Sequence, residues 1–193
     1  IEKGEQIHEL IVNRGFLEKY IVLGNGLVDM YAKCGVLSKA QQVLKDLHLR
    51  NGVSWNALIT GYADHGQGHE ALTAFDQMQS DNVARDTITF ISGLKACDNL
   101  QFAANGQRIH SEIVQKGFIE RDLLLGNMVV DMYAKCGSVM DAQQVFDKLL
   151  GHDTVSWNAL LGGYVENGQP EKALDNFEQM KLEDVSADTI TYV

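Results

Sequence analysis

The chain repeats itself at one fixed offset. IHELIVNRGF from Ile7 returns as IHSEIVQKGF from Ile109, and VDMYAKCG from Val28 returns unchanged from Val130. VSWNALITGY from Val53 returns as VSWNALLGGY from Val155, and DTITF from Asp86 returns as DTITY from Asp188. Four separate blocks displaced by 102 residues describe an array of equivalent parts, not one unique globular core.

Shorter modules lie inside that period. Residues 21–51, 52–86 and 87–122 form three modules of 31, 35 and 36 residues, and 123–153 and 154–188 repeat the first two. Residues 1–20 read as the second helix of a preceding third-type module, and 189–193 as the start of another. Both ends therefore look like cuts in a longer array. Within a module, apolar residues fall at spacings of three and four, as in Leu58, Ile59, Tyr62 and Ala63, then Ala71, Leu72, Phe75 and Met78. That period predicts two amphipathic helices. Gly35, Gly66, Gly137 and Gly168 stand between them, where a left-handed residue closes the first helix. One such pair cannot bury both faces, so neighbours must stack into an all-α solenoid whose concave face is built from the first helices.

Composition sets limits on what the array can do. With 45% hydrophobic residues and one proline, the chain can bury a core. It contains no run of about 18 apolar residues and no targeting segment, which argues against membrane spanning and leaves the compartment unread. Cys34, Cys97 and Cys136 form no CxxC pair and are expected as reduced core residues, with no metal and no cofactor. A formal charge of −10 opposes polyphosphate binding unless the contact is locally basic or made through bases. His65 and His69 have the spacing of a ligand pair but lack a third ligand, and the later copy has Asn167 and Glu171 there. His8 and His110 recur among apolar neighbours with no catalytic partner. No nucleophile triad, phosphate-cradling loop or paired-carboxylate site is present, so an enzyme is not expected.

Helix pairs of about 34 residues fit two repeat families, and the motifs choose between them. VSWNALITGYADHGQGHEALTAFDQM, GNGLVDMYAKCG with its twin GNMVVDMYAKCG, and TFISGLKACDN followed by GQRIHSEIVQKGF resemble the plant P, S and L variants of pentatricopeptide repeats. The order is S (21–51), P (52–86), L (87–122), S (123–153), P (154–188), after a partial L module over 1–20. The resemblance covers essentially the whole chain. It implies a right-handed α-solenoid of helix-turn-helix repeats that binds single-stranded RNA, as in the array of organellar RNA-editing factors, with a mitochondrial or chloroplast location. Each repeat then faces about one nucleotide.

By that resemblance the base-reading pairs are Asn25 with Asn51, Asn56 with Asp86, Asn127 with Asp153, and Asn158 with Asp188. An amide offers a donor and an acceptor to a base edge, and a carboxylate can orient it. The implied preference, 5′ to 3′, is C or U, U, an unread position at Ile91 with Asp122, U and U. Val22, Val53, Ile88, Leu124 and Val155 would wedge between bases, and Lys33 and Lys135 would contact phosphate. Asp64, Glu166 and Asn99 stand at the corresponding places of the other modules.

Plainer roles remain open for each of these. The Asn residues can cap helices, the closing acids can be N-caps, the aliphatics can be inter-repeat packing, and the lysines can be helix-end charges. Trp55 and Trp157 suit core packing better than base stacking. A cytidine deaminase would need a PCxxC element beside its HxE element, and this sequence holds no PCxxC. A second class of function is a protein adaptor, in which L modules dock accessory editing factors. Truncated modules at the ends would allow end-to-end self-association.

Overall fold

The structure, a computed structural model, describes residues 1–97 and 102–192; Asn99 and Val193 lie outside them. The described residues are helical and contain no strand. They divide into two compact units, Ile1–Ala96 and Cys97–Val193.

The first unit holds α1 (Glu2–Asn13), a single helical turn α2 (Phe16–Lys19), α3 (Ile21–Lys33), α4 (Leu37–Asp46), α5 (Gly52–Asp64), α6 (Gly68–Ser80) and α7 (Thr87–Lys95). α3 packs on α4 and α5, and α5 packs on α4, α6 and α7. Leu27, Val28 and Tyr31 of α3, Trp55, Leu58 and Ile59 of α5, and Leu72, Phe75 and Met78 of α6 form its core. The second unit holds α8 (Ala103–Gln115), α9 (Leu123–Lys135), α10 (Val139–Phe146), α11 (Thr154–Glu166) and α12 (Pro170–Leu182). There α9 packs on α8, α10 and α11, and α11 packs on α10 and α12.

The ends of these helices follow from local sequence. α5, α7 and α11 each open with a capping box: Asn51 with Ser54, Asp86 with Thr89, and Asp153 with Ser156. α5 closes at Gly66, whose φ of 70° lets the Gln67 N–H donate to the Tyr62 carbonyl at 2.9 Å. Gly35, Gly137 and Gly168 close α3, α9 and α11 in the same conformation. The second helices of the 35-residue modules close differently. Asn82 and Asp184, each at φ 56°, take the left-handed position after α6 and α12, and no glycine marks it.

Successive first helices approach closely through small residues. A Cβ placed on Gly61 would lie 2.6 Å from the Ala32 Cβ, and one on Gly163 would lie 2.5 Å from the Ala134 Cβ. These contacts bring α5 against α3 and α11 against α9 with little between the backbones.

Three expectations can be set against this packing. Trp55 and Trp157 are buried, with indole nitrogens that meet no hydrogen-bond partner, so both are core residues. Tyr31 and Tyr133 each meet a histidine, His8 and His110, through the hydroxyl at 3.1 Å with an edge-on ring contact. The cysteines are free thiols, but the expectation that all three are core residues fails for Cys34, which is exposed. Its twin Cys136 is buried because the Cys97 carbonyl covers it, accepting from the Cys136 thiol at 2.9 Å.

Candidate functional site

In the first unit, α3, α5 and α7 line a groove of about 780 Å³. Asn25 and Asn56, four residues into α3 and α5, lie on its wall together with Asp86, the N-cap of α7. Val22, Val53 and Ile88 border the same groove.

Asn56 is bound at both ends of its amide. Its Nδ2 donates to Asp86 Oδ1 at 3.0 Å and Oδ2 at 3.2 Å. The Thr89 hydroxyl donates to Asn56 Oδ1 at 2.6 Å. That hydroxyl also lies 2.9 Å from Asp86 Oδ1, but it has one proton to give. Asp86 Oδ1 already accepts from the Thr89 and Asn56 nitrogens, so the proton goes to the amide oxygen, which would otherwise be buried without a donor.

The same triangle recurs twice in the second unit. Asn127 Nδ2 donates to Asp153 at 3.1 Å, and the Ser156 hydroxyl donates to Asn127 Oδ1 at 2.7 Å. Asn158 Nδ2 donates to Asp188 at 3.0 Å, and the Thr191 hydroxyl donates to Asn158 Oδ1 at 2.7 Å. Burial pushes the Asp86 carboxyl up, but hydrogen bonds from Thr89 and the Asn56 amide outweigh it and hold the group below its usual value. Asp153 is held down against its own burial by bonds from Ser156 and Asn127. Asp188 is held down chiefly by the Thr191 N–H, then by Asn158.

Asn25 and Asn51 form no such triangle. Asn51 caps α5, accepting from the Ser54 N–H at 3.0 Å, and the Ser54 hydroxyl donates to the Asn51 carbonyl at 2.9 Å. Asn25 Oδ1 is left buried with no hydrogen-bond partner. In the third-type module Asp122 caps α9 through the Leu125 N–H at 3.2 Å. Position 125 is a leucine and supplies no hydroxyl.

The amides are more enclosed than a freely displayed side chain. Asn56 is 7% exposed and Asn127 3%, with Asn158 half-buried and Asp86, Asp153 and Asp188 exposed. Val22, Val53, Ile88, Leu124 and Val155 are all exposed, between 55% and 74%, so packing within this chain does not account for them. Lys33 and Lys135 each give their ammonium to the aspartate four residues earlier, Asp29 and Asp131, at 2.8 Å. Asp64 on the groove wall is met by Lys95 at 2.6 Å. The groove thus carries charges already matched in pairs, apart from the Asp86 carboxylate.

Thr89, Ser156 and Thr191 were not singled out by the sequence reading. Their signal is an acid followed three residues later by a hydroxyl residue, DTIT at Asp86, DTVS at Asp153 and DTIT at Asp188. His65 is exposed and its Nδ1 faces the Gly61 carbonyl at 2.8 Å. Among the described residues no group of three or more His, Cys, Asp or Glu is placed to hold a metal ion, and no helix is long and apolar enough to cross a membrane.

Comparison with known proteins accounts for the periodicity. The PPR repeat family model matches residues 50–99 and 152–193, and the PPR repeat model matches 127–153. The chain belongs to the PPR repeat family. Among curated relatives, a putative pentatricopeptide repeat-containing protein of Arabidopsis thaliana is 34% identical over 191 residues, covering 99% of this chain and 26% of that protein. A mitochondrial Arabidopsis thaliana PPR protein is 37% identical over 94% of this chain and 18% of its own length. A chloroplastic one is 37% identical over 100% of this chain and 24% of its own length. The chain spans about a quarter or less of these relatives. In fold it is similar to the maize PPR protein PPR10, with a TM-score of 0.72, 21% identity, and coverage of 98% of this chain and 28% of that one. It is equally similar to PPR10 in complex with an 18-nucleotide psaJ RNA element, at a TM-score of 0.71, with 95% and 28% covered and the same 21% identity.

Proposed function

We propose that this chain is the single-stranded RNA-binding part of a PLS-type PPR protein, contacting about one nucleotide per helix pair and positioning a C-to-U editing activity in a mitochondrion or chloroplast. The repeats run S, P, L, S, P over the boundaries given above. The base-reading pairs are Asn56 with Asp86, Asn127 with Asp153 and Asn158 with Asp188, together with Asn25 and Asn51. The target reads C or U, U, an unread position, U, U.

One observation carries the reading: an Asn amide held by an aspartate recurs at three first helices, each three residues after an exposed aliphatic residue. Bound in this way, each amide keeps one N–H and one oxygen lone pair free, the complement of a base's Watson–Crick edge. The exposed aliphatics suit insertion between unstacked bases. The RNA complex of PPR10 and the mitochondrial and chloroplastic relatives support the same reading.

The test replaces Asn56 and Asp86 together by Thr and Asn and measures binding of short RNAs that differ at the second position of the site. A changed preference at that nucleotide alone is expected. Uniformly weak binding with no change at any position refutes base reading and leaves a protein-docking scaffold.

A further inference from the structure

The chemistry of a flipped amide gives the Ser and Thr hydroxyls a role beyond capping. Uracil presents an acceptor at position 4 and a donor at N3, whereas cytosine presents a donor at position 4 and an acceptor at N3. The two edges are mirror images in hydrogen-bonding sense. An Asn amide can complement either one, and turning it over by 180° exchanges which it complements. An Asn that tells uracil from cytosine therefore needs both ends of its amide fixed.

Three of the four Asn sites have both ends fixed. At Asn56, Asp86 takes the nitrogen end and the Thr89 hydroxyl takes the oxygen end at 2.6 Å. Ser156 does this for Asn127 and Thr191 for Asn158, each at 2.7 Å. A capping box ordinarily uses Glu or Gln at this third helical position, which only has to accept the N-cap N–H. Here the hydroxyl accepts that N–H, as Thr89 does from Asp86 at 3.2 Å, and also donates its proton to the Asn on the first helix of the preceding module. At the fourth site the hydroxyl is present but turned away. Ser54 donates to the Asn51 carbonyl, and Asn25 Oδ1 has no partner. The module with Ile91 in place of Asn is followed by Leu125 at the corresponding position, so the hydroxyl accompanies the Asn along the sequence.

We propose that Thr89, Ser156 and Thr191 are positioning residues that hold the Asn amides in the uracil-complementary sense, and that Asn25, lacking this hold, accepts either pyrimidine. The inference rests on the base-reading function proposed above.

The experiment compares Thr89→Val, Thr89→Ser and Ser54→Ala in the full chain by fluorescence anisotropy. The probes are short RNAs carrying U or C at the first or the second position. Thr89→Val should lower the U-over-C preference at the second position about fivefold, the worth of one hydrogen bond, and Thr89→Ser should restore it. Ser54→Ala removes the same capping hydroxyl from α5, the helix that carries Asn56, without touching the hydroxyl that holds its amide, and should leave the U-over-C preference at the second position unchanged. The inference is overturned if Thr89→Val keeps the preference while the Asn56 and Asp86 double replacement changes it. It is also overturned if Ser54→Ala lowers the U-over-C preference at the second position as much as Thr89→Val does, because the effect is then one of helix capping. If neither Thr89→Val nor the double replacement alters any preference, base reading itself fails and the inference falls with it.

Discussion

Gly162 and Gly163 are adjacent on α11, and alanine at the two positions should have opposite effects. Nothing lies within 4 Å of a Cβ on Gly162, so Gly162→Ala gains the helix propensity difference of about 1 kcal/mol. The equivalent residue of the earlier copy is Thr60, which already carries a side chain there and meets Ser92 at 2.7 Å. At Gly163 the new Cβ would sit 2.5 Å from the Ala134 Cβ and 3.5 Å from its Cα. Carbon atoms settle at roughly 3.5–4.0 Å, so α11 and α9 must separate by about 1 Å. The atoms in the way are a Cβ and a backbone, which cannot rotate aside. Overpacking of this kind costs about 2–3 kcal/mol, and the propensity gain offsets about 1, leaving Gly163→Ala about 1–2 kcal/mol less stable than the parent. The two variants should therefore differ by about 2–3 kcal/mol. With a urea slope of about 2–3 kcal/mol/M, their midpoints differ by about 1 M. Equal midpoints would show that the close helix approach does not hold the pair together, and the reasoning from Gly61 and Ala32 would fail with it.

The charge pairs in the groove make a second expectation. Binding of single-stranded RNA should weaken with salt along a shallow slope, about −2 or less in magnitude on a log–log plot, and Asp29→Asn should free Lys33 and steepen it by about 0.7, the contribution of one added phosphate contact. An unchanged slope removes Lys33 from the list of phosphate contacts. A third expectation concerns pH. Because Asp86 and Asp153 are held below the usual carboxylate range, the stability they lend is fully present above that range and is lost as pH falls through their lowered values. The pyrimidine preference should accordingly stay flat from about pH 8 to about pH 5, and a change inside that window, measured by titrating the two RNAs in parallel, contradicts carboxylate-held amides.

Much of the helix layout can be read from the chain itself. The Gly turns at 35, 66, 137 and 168 and the three-and-four spacing mark helix ends and faces because both depend on local geometry. Where another residue performs the glycine's task the signal disappears, as at Asn82 and Asp184, whose side chains make a left-handed backbone tolerable. The contacts of Asn56 with Asp86 and of Asn127 with Asp153 span 30 and 26 residues, and only the resemblance to pentatricopeptide repeats had paired them. Asn25 with Asn51 was paired by the same resemblance, yet Asn51 serves only its own helix cap and Asn25 Oδ1 meets no partner. Thr89, Ser156 and Thr191 escaped notice because a hydroxyl three residues after an acid already has a sufficient explanation in capping. Cys34 reads like Cys136 in sequence, since identity of neighbours along the chain says nothing of what covers a side chain from outside it.

On the proposed base-reading function, the double use of the Asn56, Asn127 and Asn158 amides limits how much one site can distinguish. Its inner edge is spent on an aspartate and a hydroxyl, which leaves two atoms to meet a nucleotide. Two atoms separate one pyrimidine from the other and specify little more. An array that read RNA through such amides would have to compose a long address by lengthening the row, because no single position could be made much more discriminating.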